Sequence, residues 1–225
     1  MEKNLRLSKK TVGILKSFSQ INTNLVVRPG SKLSTITPTK TVYAEATVDD
    51  KFDKQICIYN LNEFLGVVTA FSDPELELFD KHMIISEGIN KVKYIYADEN
   101  LLTLPPTKQI KLPSVEVQFN LMAESLERIL KMAQILAVED LSFIGDGKKI
   151  IARVLDTKNP TGNQFDVDLD TTTKDKFDIQ IKVENVKLIP NNYAVEISKA
   201  KLAKFDNGDN VITYIAVEAS SEFEV

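Results

Sequence analysis

Apolar residues along the first quarter of the chain change their spacing once, from a helical period to a strand-like one. Across "LSKKTVGILKSFSQIN", residues 7–22, Val12 or Ile14 joins Leu15, Phe18 and Ile21 on one side of a helix. Lys9, Gly13, Lys16 and Gln20 fall on the other side, at i, i+4, i+7 and i+11, and Ser8 stands where an N-cap hydroxyl is needed. Strand-like runs follow in "LVVRP", "LSTIT", "TVYAEATV", "FDKQICIYNL", "ELELFD", "HMIIS" and "KVKYIYA". "LNEFLGVVTAF" interrupts them as a short helix or turn. "RPGS", "SDPE" and "SEGIN" supply the turns that antiparallel hairpins require.

Near residue 100 the rhythm is lost. "DENLLTLPPTKQIKLPS" holds three prolines and no period, and Pro105-Pro106 favours extended chain, so 101–113 is predicted to be a surface connector between domains at 1–100 and 114–225. The pattern then begins again. "NLMAESLERILKMAQIL" predicts a second helix, apolar at Leu126, Ile129, Leu130 and Ala133 and polar at Glu124, Arg128 and Lys131. "DLSFIG" and "KKIIARVL" read as a hairpin turned at Asp146-Gly147, and "NQFDVDLDTT", "KFDIQIKVENVKLI", "NYAVEISKAKLAKF" and "NVITYIAVEA" as further strands, the last pair turned by "DNGDN".

The two halves also share letters. Ile-Leu-Lys recurs at 14–16 and 129–131, and F-D-x-Q-I-x-(I/V)-x-N-(L/V) recurs at 52–61 and 177–186. The offset is 115 residues at the first repeat and 125 at the second, which assigns about ten extra residues to the second half, expected in the polar loop "DTKNPTGN". The fold class that follows is α+β: two similar domains of antiparallel sheets, each with its own helix.

Composition narrows the function. The 225 residues are 43% hydrophobic and 27% charged, with no run of about 18 apolar residues that could span a membrane. No apolar signal stretch follows the basic "MEKNLRLSKK", and the expectation is an intracellular protein. The lone cysteine, Cys57, lies in strand-like "QICIY" and is expected to be a buried structural thiol. A net charge of −4 excludes nucleic-acid binding through overall positive charge, but leaves room for a basic stripe confined to one surface.

"LSKKTVGILKSFSQIN", "TVYAEATVDDKFDKQICIYNLNEFLGVV" and the late "YIAVEA" together resemble the sliding clamps of T-even-type bacteriophages, the processivity subunits of their DNA polymerases. The likeness runs over nearly the whole chain and is densest at 5–68. It implies the DNA clamp fold, with three copies closing head to tail into a homotrimeric ring whose inner helices line a hole for duplex DNA. Lys9 and Lys16 on the first helix, Arg128 and Lys131 on the second, and Arg6 and Lys10 beside the first would then face DNA and contact phosphate without sequence preference. The second helix departs from the family pattern, with Gln134 where a basic residue is expected and an acidic Glu124.

The resemblance places the two ring-closing edges at "KVKYIYA", with Tyr94, Ile95 and Tyr96, and at "QFDVDLD" (164–170), with Phe165, Val167 and Leu169. It also implies a pocket for the tails of partner proteins, for which Leu101, Leu102, Leu104, Ile110 and Val217 are the candidates. The partners implied are duplex DNA, the replicative polymerase, an ATP-dependent clamp loader and, in late transcription, transcription factors and the host RNA polymerase. The place of action implied is the cytoplasm of the infected bacterium. No membrane, cofactor or catalytic role is expected.

Three features invite other chemistry. "DVDLD" puts three carboxylates on one strand face, but no glycine follows Asp170 and Phe177 stands where a calcium loop needs Glu. His82 has Asp80 nearby and no partner nucleophile. "GDGKK" lacks the G-x-x-x-x-G-K-(S/T) spacing of a phosphate loop. Two other classes fit the duplicated pattern: an α+β ligand-binding protein or enzyme with an interdomain site, and a structural oligomer without nucleic acid. A total of 8 glycines and the lack of a catalytic constellation count against the first.

Overall fold

The computed structural model describes residues 5–159 and 161–224, which divide into two compact units, Met1–Lys108 and Gln109–Val225. In the first, Leu5 forms an isolated antiparallel bridge to Leu76. There follow α1 (Lys9–Ile21), β1 (Leu25–Val27), β2 (Gly30–Ile36), β3 (Val42–Phe52), β4 (Ile56–Ile58), α2 (Leu61–Thr69), β5 (Glu75–Leu78), β6 (His82–Glu87) and β7 (Asn90–Ile95). A single 3-10 turn, Glu99–Leu101, ends the series. Antiparallel pairs join β1 to β4 and β2 to β3, and β5, β6 and β7 form a meander.

The second unit holds β8 (Val117–Leu121), α3 (Ala123–Leu136), β9 (Asp140–Asp146), β10 (Lys149–Leu155), β11 (Phe165–Thr172), β12 (Lys176–Lys182), a 3-10 turn (Val183–Asn185), β13 (Tyr193–Ser198), β14 (Leu202–Asp206), β15 (Val211–Ala216) and β16 (Glu222–Glu224). One sheet runs β11-β10-β9-β12-β16, and β15-β14-β13-β8 pair in that order.

Apart from β16, which pairs with β12 and has no counterpart beside β4, the strand plan is repeated. β4 pairs with β1 as β12 pairs with β9, β2 and β3 match β10 and β11, and the β5-β6-β7 meander matches β13-β14-β15. Even the Leu5–Leu76 bridge has its counterpart in the β8–β13 ladder. The recurring F-D-x-Q-I motif therefore marks equivalent strands, β4 and β12. Where α2 stands in the first unit, the second has only the turn at Val183–Asn185.

Both cores follow from alternation. In β12, Phe177, Ile179 and Ile181 are buried, while Asp178, Gln180 and Lys182 are not. α1 buries Ile14, Leu15, Phe18 and Ile21 on β2 and β3; α3 buries Leu126, Ile129 and Ala133 on β10 and β11. Each large side chain so buried contributes about 1.5–3 kcal/mol. Between Val12 and Ile14, it is Ile14 that joins the α1 core.

The structure corrects several expectations. Asn120 and Leu121 belong to β8 and Met122 is the N-cap of α3, because Val117, Phe119 and Leu121 alternate inward before the helical spacing starts. "FDKQICIYNL" is not one strand: Phe52 ends β3, and β4 is three residues long. "NYAVEISKAKLAKF" is a hairpin, β13 and β14, turned at Lys201 with φ of 63°. The short β16 has no strand-like period to announce it. The extra residues of the second half are not confined to one loop. β9 has 7 residues where β1 has 3, and the β10–β11 connection spans 156–164 where the β2–β3 connection spans 37–41.

Candidate nucleic-acid interface

α1 is set in place by its first residue outside the helix. The Ser8 hydroxyl accepts from the Thr11 amide at 3.1 Å, and both the Ser8 amide and hydroxyl donate to Asp50 Oδ2 on β3, at 3.0 and 2.9 Å. This fixes the rotation of the helix on its sheet. With the apolar face buried, Lys9, Lys10, Gly13, Lys16 and Gln20 are exposed. The helix carries no acidic residue in its first turn.

α3 repeats the geometry with different chemistry. Arg128 and Lys131 are exposed, as the pattern of apolar positions requires. Arg128, however, donates to Glu124 one turn earlier at 2.6 Å. Glu127 lies beside them, and Ile135, at the end of the same stripe, is 63% exposed. Arg6 is likewise engaged, its guanidinium paired with Asp73 and with Glu75, the latter at 2.5 Å. The bond to Glu75 and the charge of Asp73 raise its pKa further above its ordinary value. The sequence gives no sign of this clamp, because the partners lie 67 and 69 residues away.

The two strands proposed for ring closure are both sheet edges among the described residues: β7 bonds only to β6, and β11 only to β10. Their side chains divide differently from the expectation. Tyr94 is buried, its ring edge-on to Phe64 at 5.6 Å and its hydroxyl pushed up to about 12 by burial. Val167 and Leu169 are buried as well, on the sheet that α3 covers. Phe165 is half-buried, and Tyr96 lies past the end of β7 with its hydroxyl buried and unpartnered. Of the six residues, Ile95 is the one that stands exposed, at 62%. What the edges offer is backbone plus charge: exposed Lys91 and Lys93 on β7, and exposed Asp166, Asp168 and Asp170 on β11. Asp166 is held by Arg153 and Asp168 by Lys149, each at 2.7 Å, which lowers both carboxyl pKa values.

The pocket candidates separate too. Leu101 and Leu104 are exposed, at 69% and 41%, while Leu102 is buried with Val26 and Cys57. In the second unit Val217 is buried and Ile110 is half-buried, its carbonyl accepting from the Tyr214 hydroxyl at 3.0 Å. The Cys57 thiol is pushed up by burial, away from nucleophilic chemistry. His82 stacks on Phe79 with ring centres 4.7 Å apart. Among the described residues no three His, Cys, Asp or Glu side chains are placed to hold a metal ion, and no helix is long and apolar enough to cross a membrane.

Known proteins share this layout. The family model for "DNA polymerase processivity factor" matches residues 6–95. Three proteins named sliding clamp match nearly end to end. That of Escherichia phage RB69 is 29% identical over 96% of this chain and 98% of its own length; that of Enterobacteria phage T4 is 27% identical over the same shares. The Vibrio phage KVP40 clamp is 26% identical over 96% of this chain and all of its own. Among solved structures, A. fulgidus PCNA bound to the C-terminal region of FEN-1 superposes with a TM-score of 0.71 at 10% identity, covering 97% of this chain and 99% of that one. A putative DNA polymerase III beta subunit from Eubacterium rectale gives 0.70 at 14% identity, covering 98% of this chain and 66% of that one. At such low identity these two speak for the fold alone, which is the clamp fold. The duplicated strand plan, the processivity-factor match and the end-to-end phage relatives agree: over nearly its whole length the chain is similar to the T4-type phage sliding clamps.

Proposed function

We propose that this protein tethers the replicative DNA polymerase to its template as a ring closed around duplex DNA. Three copies close head to tail, the β7 edge of one copy adding to the β11 edge of the next. Two different edges make a heterologous contact, and such contacts form rings when the rotation closes. Opposite charge favours this pairing, with Lys91 and Lys93 on one edge and, on the other, Asp170 beside Asp166 and Asp168, which would exchange or share their partners Arg153 and Lys149. The helices α1 and α3 line the hole.

The observation that carries the reading is the segregation of charge. A chain of net charge −4 keeps an exposed helical stripe bearing Lys9 and Lys16 and no acid. Phosphate contact through lysine is independent of sequence and weak enough to move, which suits a protein held by topology. Catalysis has no place in this reading: ATP chemistry belongs to the clamp loader, and polymerisation to the polymerase. Leu101 and Leu104, exposed in the connector, are the residues offered to partner tails, and late-transcription factors with the host RNA polymerase share that docking mode in the infected cell's cytoplasm.

The test is retention on DNA of different topology. After loading onto nicked circular duplex, the protein stays bound through gel filtration and is released when a restriction enzyme linearises the circle. Equal retention on circle and line would show ordinary binding and end the encirclement reading.

A further inference from the structure

α1 and α3 are equivalent helices, and at an offset of 115 their exposed stripes can be compared position by position. Lys9, Gly13, Lys16 and Gln20 in the first become Glu124, Arg128, Lys131 and Ile135 in the second. The chemistry is not conserved between them. Lys9 is replaced by an acid, and that acid holds the stripe's arginine at 2.6 Å. Glu127 brings the charge of α3 to zero, whereas α1 carries three lysines and no acid.

The helix dipole sharpens the contrast. The positive end of a helix favours acidic side chains and disfavours cations, by about 0.3–1 kcal/mol each. α3 obeys with Glu124 in its first turn; α1 does the reverse with Lys9 and Lys10. Lys10 is engaged within the chain, which leaves Lys9 and Lys16 as the charges without a stated use. The carboxylate at this end of α1 is Asp50, already bonded to the Ser8 amide and hydroxyl, so Lys9 and Lys16 on the exposed stripe are the cations offered to an external phosphate.

We infer that duplex phosphates are gripped by α1, through Lys9 and Lys16, and that α3 is an electrically neutral spacer whose Arg128 is held off the DNA by Glu124. This rests on the encirclement reading above. A ring of three copies then presents alternating cationic and neutral helices, a threefold field in place of a sixfold one. The duplex is attracted to one α1 at a time and passes over α3 without being held, so grip and mobility are assigned to different helices.

The experiment uses the full chain with a mixed-sequence duplex of about 30 bp, fluorescence anisotropy between about 50 and 200 mM salt, and the circle-retention assay in parallel. Each phosphate contact contributes a factor of about 3.5 to the affinity ratio across that fourfold salt range. Lys9→Ala with Lys16→Ala is expected to reduce the ratio about twelvefold, and Arg128→Ala with Lys131→Ala to leave it unchanged. Glu124→Lys, which adds a cation at the position of Lys9 and releases Arg128, is expected to raise affinity and steepen the salt dependence by about two contacts. All these positions are exposed, so the variants fold, and Lys9→Ala should melt at or above wild type. Equal flattening by both double variants, or no effect of Glu124→Lys, overturns the assignment to α1 while leaving encirclement intact. A wild-type protein that is not retained on the circle overturns both.

Discussion

Register-equivalent positions in the two units hold opposite kinds of side chain, and the difference can be measured. Val26 pairs with Cys57 across β1 and β4; Asp140 pairs with Lys182 across β9 and β12. The first pair is buried and apolar. In the second, Asp140 is only 2% exposed, and its carboxylate accepts from Lys182 and from the Thr157 amide and hydroxyl at 3.0 and 2.7 Å. Burial alone would raise the pKa of this carboxyl, but the bonds from Lys182 and Thr157 outweigh burial and hold it below its usual value. Lys182→Met keeps the packing of the stem and removes the counter-charge.

A buried charge stranded in this way costs about 3–5 kcal/mol; since the Lys182 side chain is 27% exposed, the lower end, about 3 kcal/mol, is expected. Adding Asp140→Val gives the second unit an aliphatic pair like that of the first, and should recover all but about 1 kcal/mol, the share of the donors left on Thr157. The chain has no tryptophan, so urea unfolding is followed by far-UV circular dichroism. The pH dependence has a definite sign. Because the folded pKa of Asp140 lies below the unfolded value of 3.8, its stabilisation is complete above that value and is lost as pH falls through the folded pKa. In Lys182→Met the folded pKa moves above the unfolded one, so the gap from wild type narrows between pH 7 and pH 4. A loss under about 1 kcal/mol for Lys182→Met, or a double variant less stable than the single, would refute the reasoning.

Four further outcomes follow from contacts elsewhere in the chain. Ser8→Ala removes the cap of α1 and its bond to Asp50, and should lower stability by about 1–2 kcal/mol in thermal melts, with Ser8→Thr restoring most of it. Leu102→Ala should cost about 2–4 kcal/mol by urea unfolding, because Leu102 packs on Val26 and Cys57. Leu101→Ala and Leu104→Ala should stay within about 0.5 kcal/mol yet weaken binding of a polymerase C-terminal peptide in calorimetry; unchanged binding removes them from the docking site. Gly145→Ala places a methyl against the Phe177 ring, and should cost about 1–3 kcal/mol, read as a lowered Tm.

Much of the fold was legible because it is written in local periods. The faces of α1 and α3, the Asp146-Gly147 turn and the duplication at 52–61 and 177–186 each depend on residues a few positions apart. The ends of β4, read as part of one longer strand, and the existence of β16 were not legible: each has 3 residues, too few to show alternation, and is delimited by the neighbouring strand that supplies its hydrogen bonds. The candidate interface was half legible: spacing told which lysines and arginines lie opposite the apolar face, but not which of them are already paired.

By itself, the sequence determined the two-domain α+β plan, the family resemblance and the exposed stripe that carries Lys9 and Lys16. Tertiary structure decided that Arg6 is bound by Asp73 and Glu75, that Tyr94, Val167 and Leu169 turn inward, and that Leu102 is core while Leu101 and Leu104 are not. The reason is range. Which face of a helix or strand a residue occupies is set by the backbone's own repeat, whereas its partner and its burial depend on segments far away in the chain. The "ILK" at 14–16 and 129–131 shows both: repetition marks Lys16 and Lys131 as equivalent positions, while the acids beside α3 and their absence from α1 set the two apart.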